Sequence, residues 1–158
     1  MTANPDGAAD GRATREASAF RLRYAVATTI AASPEKVWAL LTDVPRMPEW
    51  NSTIEHAEGA IAPGQRVKLR VAIAPDRTFD LSVDEVVAPS RLVWSDGFRP
   101  MFRGVRTYSL TPTDGGTRFE MVEELGGLML PMIGRSLPDF RESFEAYAAD
   151  LRRAAEAS

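Results

Sequence analysis

The chain has 158 residues, 44% of them hydrophobic and 26% charged, with a formal net charge of −3. That length supplies one domain with a sizeable core, and the mild acidity gives no electrostatic basis for binding nucleic acid or anionic lipid. Cysteine is absent, which removes disulfide and thiolate chemistry. No basic segment followed by an apolar run marks a signal peptide, and the most apolar window, Gly127 to Gly134, is too short for a transmembrane segment. A soluble, cytoplasmic protein is expected.

Residues 1–19 carry no periodicity and, before Phe20, no aromatic side chain, so a disordered tail is expected there, followed by one domain over 20–158. From Phe20 the pattern changes: Leu22, Tyr24, Val26, Thr28 and Ile30 alternate with Arg23, Ala25, Ala27 and Thr29, the period of a half-buried strand. Ser33-Pro34-Glu35 then starts a helix, with Ser33 as N-cap, proline at the first helical position and glutamate complementing the positive helix end. Asp43-Val44-Pro45 breaks that helix, and Arg46 to Asn51 has length for one more short helical turn.

Six strands follow in the pattern. Ile54 to Gly59 is the weakest, while Val67, Leu69, Val71 and Ile73 alternate clearly with Lys68, Arg70 and Ala72. Phe79, Leu81 and Val83 return opposite, with Asp84 expected near Lys68, and Leu92 and Trp94 share a face of the next strand. Asp96 to Arg103 reads as an unusually apolar loop. Asp114-Gly115 favours a two-residue hairpin turn, which makes Thr113 the partner of Gly116. Counting outwards pairs Leu110 with Phe119, Tyr108 with Met121 and Arg106 with Glu123 on one face. Ser109 with Glu120 and Thr107 with Val122 occupy the other, wetter face.

At the C-terminus, Ile133, Leu137, Phe140, Phe144, Tyr147 and Leu151 recur at spacings of four and three and predict a long amphipathic helix. The opposite positions, among them Asp139, Arg141, Glu142, Glu145 and Asp150, are charged. Ser136 and Asp139 resemble a capping box, which starts the regular helix near Ser136, with a shorter helical piece before it.

This order of elements resembles the START-like, helix-grip superfamily, and within it the polyketide cyclase/dehydratase group. The resemblance runs from Phe20 to Glu156. It is carried by Ala32-Ser33-Pro34-Glu35-Lys36-Val37-Trp38, Met47-Pro48-Glu49-Trp50-Asn51, Pro63-Gly64, Arg91-Leu92-Val93-Trp94, Gly116-Thr117-Arg118-Phe119 before Glu123-Glu124, and the terminal helix. It implies an α+β helix-grip fold: a seven-stranded curved antiparallel sheet around a long C-terminal helix, with two short helices after the first strand. It further implies a cavity between sheet and helix that holds a small hydrophobic or amphipathic molecule, lipid- or polyketide-like. Some members instead catalyse cyclisation or dehydration without a cofactor, and others are chaperone-activator-like interaction domains with a closed cavity. No universal catalytic residue accompanies the fold, so none is carried over.

The residues themselves offer candidates. Trp50, Trp94, Arg106, Tyr108, Met121, Glu123, Phe140 and Phe144 are the expected ligand-binding set. Arg106 and Glu123 form a cross-strand pair that is structural, contacts a ligand, or moves a proton through Glu123. His56, the single histidine, is a second weak catalytic candidate. Tyr108 either donates its hydroxyl to a ligand or packs in the core. Phe98, Met101, Phe102, Met129 and Met132 read as a mobile lid, a core closure, or a patch for a partner subunit, which leaves monomer and homodimer both open. One histidine and no cysteine make a first-row metal site improbable, and no nucleotide, flavin or haem motif is present, so no cofactor is expected.

Overall fold

The computed structural model describes residues 9–157. Eight strands form one antiparallel, curved and unclosed sheet: β1 (Thr14–Ala17), β2 (Arg21–Ile30), β3 (Ile54–Gly59), β4 (Arg66–Val71), β5 (Thr78–Val87), β6 (Arg91–Phe98), β7 (Phe102–Thr113) and β8 (Gly116–Gly126). Their spatial order is β1-β2-β8-β7-β6-β5-β4-β3. Between β2 and β3 lie α1 (Pro34–Thr42), a 3-10 turn (Val44–Arg46) and the short α2 (Met47–Trp50); after β8 come α3 (Leu130–Ile133) and α4 (Arg141–Glu156). The α+β helix-grip architecture expected from the sequence is the one observed.

The strand count departs from the expected seven because β1 lies in the stretch expected to be a disordered tail. Thr-Arg-Glu-Ala is polar, and its side chains are largely exposed, so no alternation betrays it. Backbone pairing with the edge of β2, Thr14 opposite Ala25 through Ala17 opposite Leu22, makes it a strand. The chain just before it is also fixed. Asp10 accepts from Thr28 Oγ1 (3.2 Å) and from the Thr29 amide (3.0 Å), and the Ala13 amide donates to Glu145 on α4 (2.9 Å). The rest of the expected tail, residues 1–8, lies outside the described residues.

Local signals explain the remaining elements. Ser33 Oγ accepts from the Lys36 amide at 3.2 Å, the expected N-cap of α1, whose Val37 and Leu41 are buried. The β7–β8 register follows the hairpin count throughout: Thr113 faces Gly116, Leu110 faces Phe119, Tyr108 faces Met121 and Arg106 faces Glu123. Leu110, Phe119, Tyr108 and Met121 are all buried, as that face requires. Lys68 instead opposes Asp80, because the β4–β5 hairpin turns earlier than expected, and Asp84 bonds Ser95 Oγ (2.5 Å) and pairs with Arg103 (3.6 Å). The apolar loop expected over Asp96 to Arg103 is mostly strand; β6 runs to Phe98 and β7 resumes at Phe102.

The terminal helix also differs from the continuous stripe. The regular helix begins at Arg141, five residues after Ser136, and α3 stands apart from it. Pro138 excludes the residue before it from helical geometry. Ser136 Oγ is turned to the Ile133 carbonyl (2.8 Å), so no capping box forms, and Asp139 Oδ1 accepts the Arg141 amide instead (3.0 Å). Hydrogen bonds from the Arg141 guanidinium first, and that amide bond second, lower the Asp139 pKa to about 2. Phe144, Tyr147 and Leu151 point into the core as expected. Asp150, on the face expected to be solvated, is 6% exposed and accepts from the Ser52 amide (2.8 Å) and hydroxyl (2.6 Å), tying α4 to the loop after α2.

Candidate functional site

The helix covers only part of the sheet. Tyr24 on β2 meets Phe140 edge-on at 5.4 Å and Phe144 at 5.7 Å, while Phe119 on β8 stacks on Tyr147 at 6.3 Å. Where β4, β5 and β6 curl away from that contact, a cavity of about 300 Å³ remains. Its walls are mostly apolar: Leu69, Val71, Phe79 and Leu81 from β4 and β5, Trp94 from β6, Met121 and Leu125 from β8. Phe140, Phe144 and Tyr147 close it from the helix side, and Ile133, Leu137 and Pro138 contribute from the connection before α4.

Polar groups converge on one wall. Arg106 Nε donates to Glu123 Oε1 at 2.8 Å, and the two side chains keep only 18% and 19% of their surface exposed. The guanidinium lies 5.1 Å from the Phe144 ring centroid and reaches Tyr108 Oη at 3.4 Å. Burial disfavours its charge, yet the facing Glu123 carboxylate and the Tyr108 oxygen outweigh burial and hold Arg106 above the usual arginine range. Burial pushes the Tyr108 and Tyr147 phenols up, so both stay neutral. The Tyr147 hydroxyl sits beside that of Tyr108 but completes no well-formed hydrogen bond.

Of the eight expected ligand-binding residues, Trp94, Arg106, Met121, Glu123, Phe140 and Phe144 line the cavity together. Two do not. Tyr108 is 1% exposed and packs below the wall, 5.2 Å from Trp94 and 5.9 Å from Tyr147, and Trp50 lies edge-on behind Tyr147 at 5.9 Å. His56 lies away from the cavity: β3 turns it outward, 57% exposed and 3.8 Å from Glu58, because the register shifts between Ile54 and His56 and Ile54 and Ala57 take the inward positions.

The expected lid divides. Phe102 lines the cavity, Met129 is half-buried away from its wall, and Phe98, Met101 and Met132 face solvent, Phe98 and Met132 each 71% exposed. The two segments do meet, the Met129 amide donating to the Met101 carbonyl at 2.8 Å. Among the described residues, no three His, Asp or Glu side chains group so as to hold a metal ion.

Asp96 was not among the expected site residues, though it lies two positions after Trp94 and therefore on the same face of β6. Reading the β6 alternation one step further than Trp94 finds it; the expectation of a loop there concealed it. The rim residues Ile133 to Pro138 carried no comparable signal, since they look like helix.

An antiparallel curved sheet gripping a C-terminal helix, with a mostly apolar cavity between them, defines an α+β helix-grip protein. More particularly, residues 21–157 match the model of the family described as polyketide cyclase/dehydrase and lipid transport, and the chain belongs to that family. No curated protein matches it by sequence. Solved structures with the same fold include a Rhodobacter sphaeroides protein, 22% identical with a TM-score of 0.64, covering 92% of this chain and 98% of its own. A Nitrosomonas europaea protein is 18% identical with a TM-score of 0.64, covering 87% and 95%. The di-domain ARO/CYC StfQ of the steffimycin biosynthetic pathway is 14% identical with a TM-score of 0.65, over 87% of this chain and half of that one. No described helix is long and apolar enough to cross a membrane.

Proposed function

We propose that this protein binds a small hydrophobic or amphipathic molecule, lipid- or polyketide-like, in the cavity between the sheet and α4. The observation that carries the reading is the cavity: about 300 Å³ of space with apolar walls and one polar wall, at the lower end of the range typical of small-molecule sites. The same space speaks against the interaction-domain reading, which calls for a closed cavity.

Family membership also supports an acid/base cyclase or dehydratase as a second reading. The observation in its favour is that two carboxyl groups, Asp96 and Glu123, stand on the cavity wall, where a reacting carbon of a bound ligand would be within reach. His56 is too far outward to serve it.

Native mass spectrometry of the freshly purified chain, followed by calorimetric titration with naphthalene, tests the binding reading. Retention of an apolar small molecule, or saturable naphthalene binding that Ala74→Trp weakens at least about tenfold by filling the wall, is the expected result. No retained molecule and no saturable binding would overturn it.

A further inference from the structure

Asp96 occupies a notch built for it. Gly104 on β7 faces Asp96 in cross-strand register, and a Cβ added at Gly104 would lie 2.9 Å from Asp96 Oδ1 and 2.9 Å from Leu125 Cδ2. Glycine inside a strand weakens it and marks a close approach. Here the backbone of Gly104 is not left-handed, so the reason is space: the missing side chain is where the Asp96 carboxyl rests.

The charges that face this carboxyl leave it unmatched. Arg106 is already engaged by Glu123 at 2.8 Å. Arg77, the second cation on the cavity wall, is exposed and lies 4.6 Å from the Phe79 ring centroid, where solvent screens it. Among the described residues Asp96 makes no ion pair. Burial first, and repulsion from Glu123 second, raise its pKa; Arg77, Arg106 and the Gly104 backbone offset only part of that rise.

We propose that Asp96 is the specificity-determining residue of the cavity, accepting apolar ligands that end in a neutral hydroxyl and rejecting those that end in a carboxylate. The inference rests on the ligand-binding reading above. A carboxylate brought to this wall meets Asp96 and Glu123 while the one buried cation is already neutralised, and like charges in a poorly solvated site repel strongly. A hydroxyl suits either protonation state of Asp96, donating to the carboxylate or accepting from the acid.

Calorimetric titration of the full chain with naphthalene, 2-naphthol and 2-naphthoate at pH 7 tests it. The expected result is 2-naphthol at least about tenfold tighter than 2-naphthoate, a gap of about 1.4 kcal/mol. Asp96→Asn, which keeps the shape and hydrogen bonding, should remove most of that ratio by strengthening 2-naphthoate. Gly104→Ala, which displaces the carboxyl from its notch, should shift the ratio the same way. Binding of both derivatives within about twofold of each other, or an unchanged ratio in Asp96→Asn, overturns the inference while naphthalene binding upholds the cavity. Failure of all three probes to bind overturns this inference, and, when native mass spectrometry also finds no retained molecule, the ligand-binding reading with it.

Discussion

Replacing Glu123 by leucine would leave the Arg106 guanidinium without its ion-pair partner, beside the Phe144 ring at 5.1 Å, the Tyr108 oxygen at 3.4 Å and the more weakly coupled Asp96 carboxyl. Breaking a fully buried ion pair costs about 3–5 kcal/mol, because the surviving charge stays desolvated. Arg106 and Glu123 keep 18% and 19% of their surface, so some solvent reaches them through the cavity, and the expected loss is about 2–3 kcal/mol for either Glu123→Leu or Arg106→Met. The double variant removes both charges and fills the wall with side chains of similar volume. It should therefore lie within about 1 kcal/mol of the parent, sub-additive by at least about 2 kcal/mol. Urea unfolding followed by tryptophan fluorescence provides the assay, since Trp94 is the cross-strand neighbour of Arg106. Single losses below about 1 kcal/mol, or a double variant whose loss equals their sum, would refute the view that the two charges satisfy one another.

Asp150→Ala should cost about 2–4 kcal/mol in the same assay, because it strips the acceptor from the Ser52 amide and hydroxyl at a buried helix–loop junction; a loss under about 0.5 kcal/mol would show that this tie contributes nothing. Asp96→Asn carries a pH signature with a defined sign. The raised pKa means the folded state favours the protonated acid, so the penalty is absent below the ordinary value of 3.8 and grows as pH rises through the folded value. Thermal melts should show the asparagine variant more stable than the parent at pH 7 and equal to it below pH 3.8; a constant difference at all pH values would contradict the assignment.

Much of the architecture was legible because it rests on short-range signals. Two-residue alternation marks Leu22 to Ile30 as a strand, Ser33 caps α1 through a contact three residues away, and Asp114-Gly115 sets a register that carries Arg106 to Glu123. Six of the eight residues expected at the site line the cavity, and for Arg106, Met121 and Glu123 the hairpin register is the reason, since inward parity along paired strands is inherited from the turn. The failures share a cause as well. The strand at Thr14–Ala17 exists through backbone bonds to the edge of β2 and needs no side-chain pattern. Asp150 looked solvated because helical spacing records which residues share a face, while the loop that buries it comes from residue 52, far away in the chain. Tyr108 and Trp94 share an inward face, yet one is sealed core and the other cavity wall.

That last difference returns to the helix. The sequence by itself determined that an amphipathic C-terminal helix lies on a strand-rich face bearing Arg106 and Glu123, because periodicity and hairpin register are local properties. Only the tertiary structure decided that Pro138 and Asp139 delay the helix to Arg141, that α4 rests on β2 and β8, and that β4 to β6 curl away from it. Sheet curvature and helix placement come from the packing of distant residues, and the cavity is what that packing leaves unfilled.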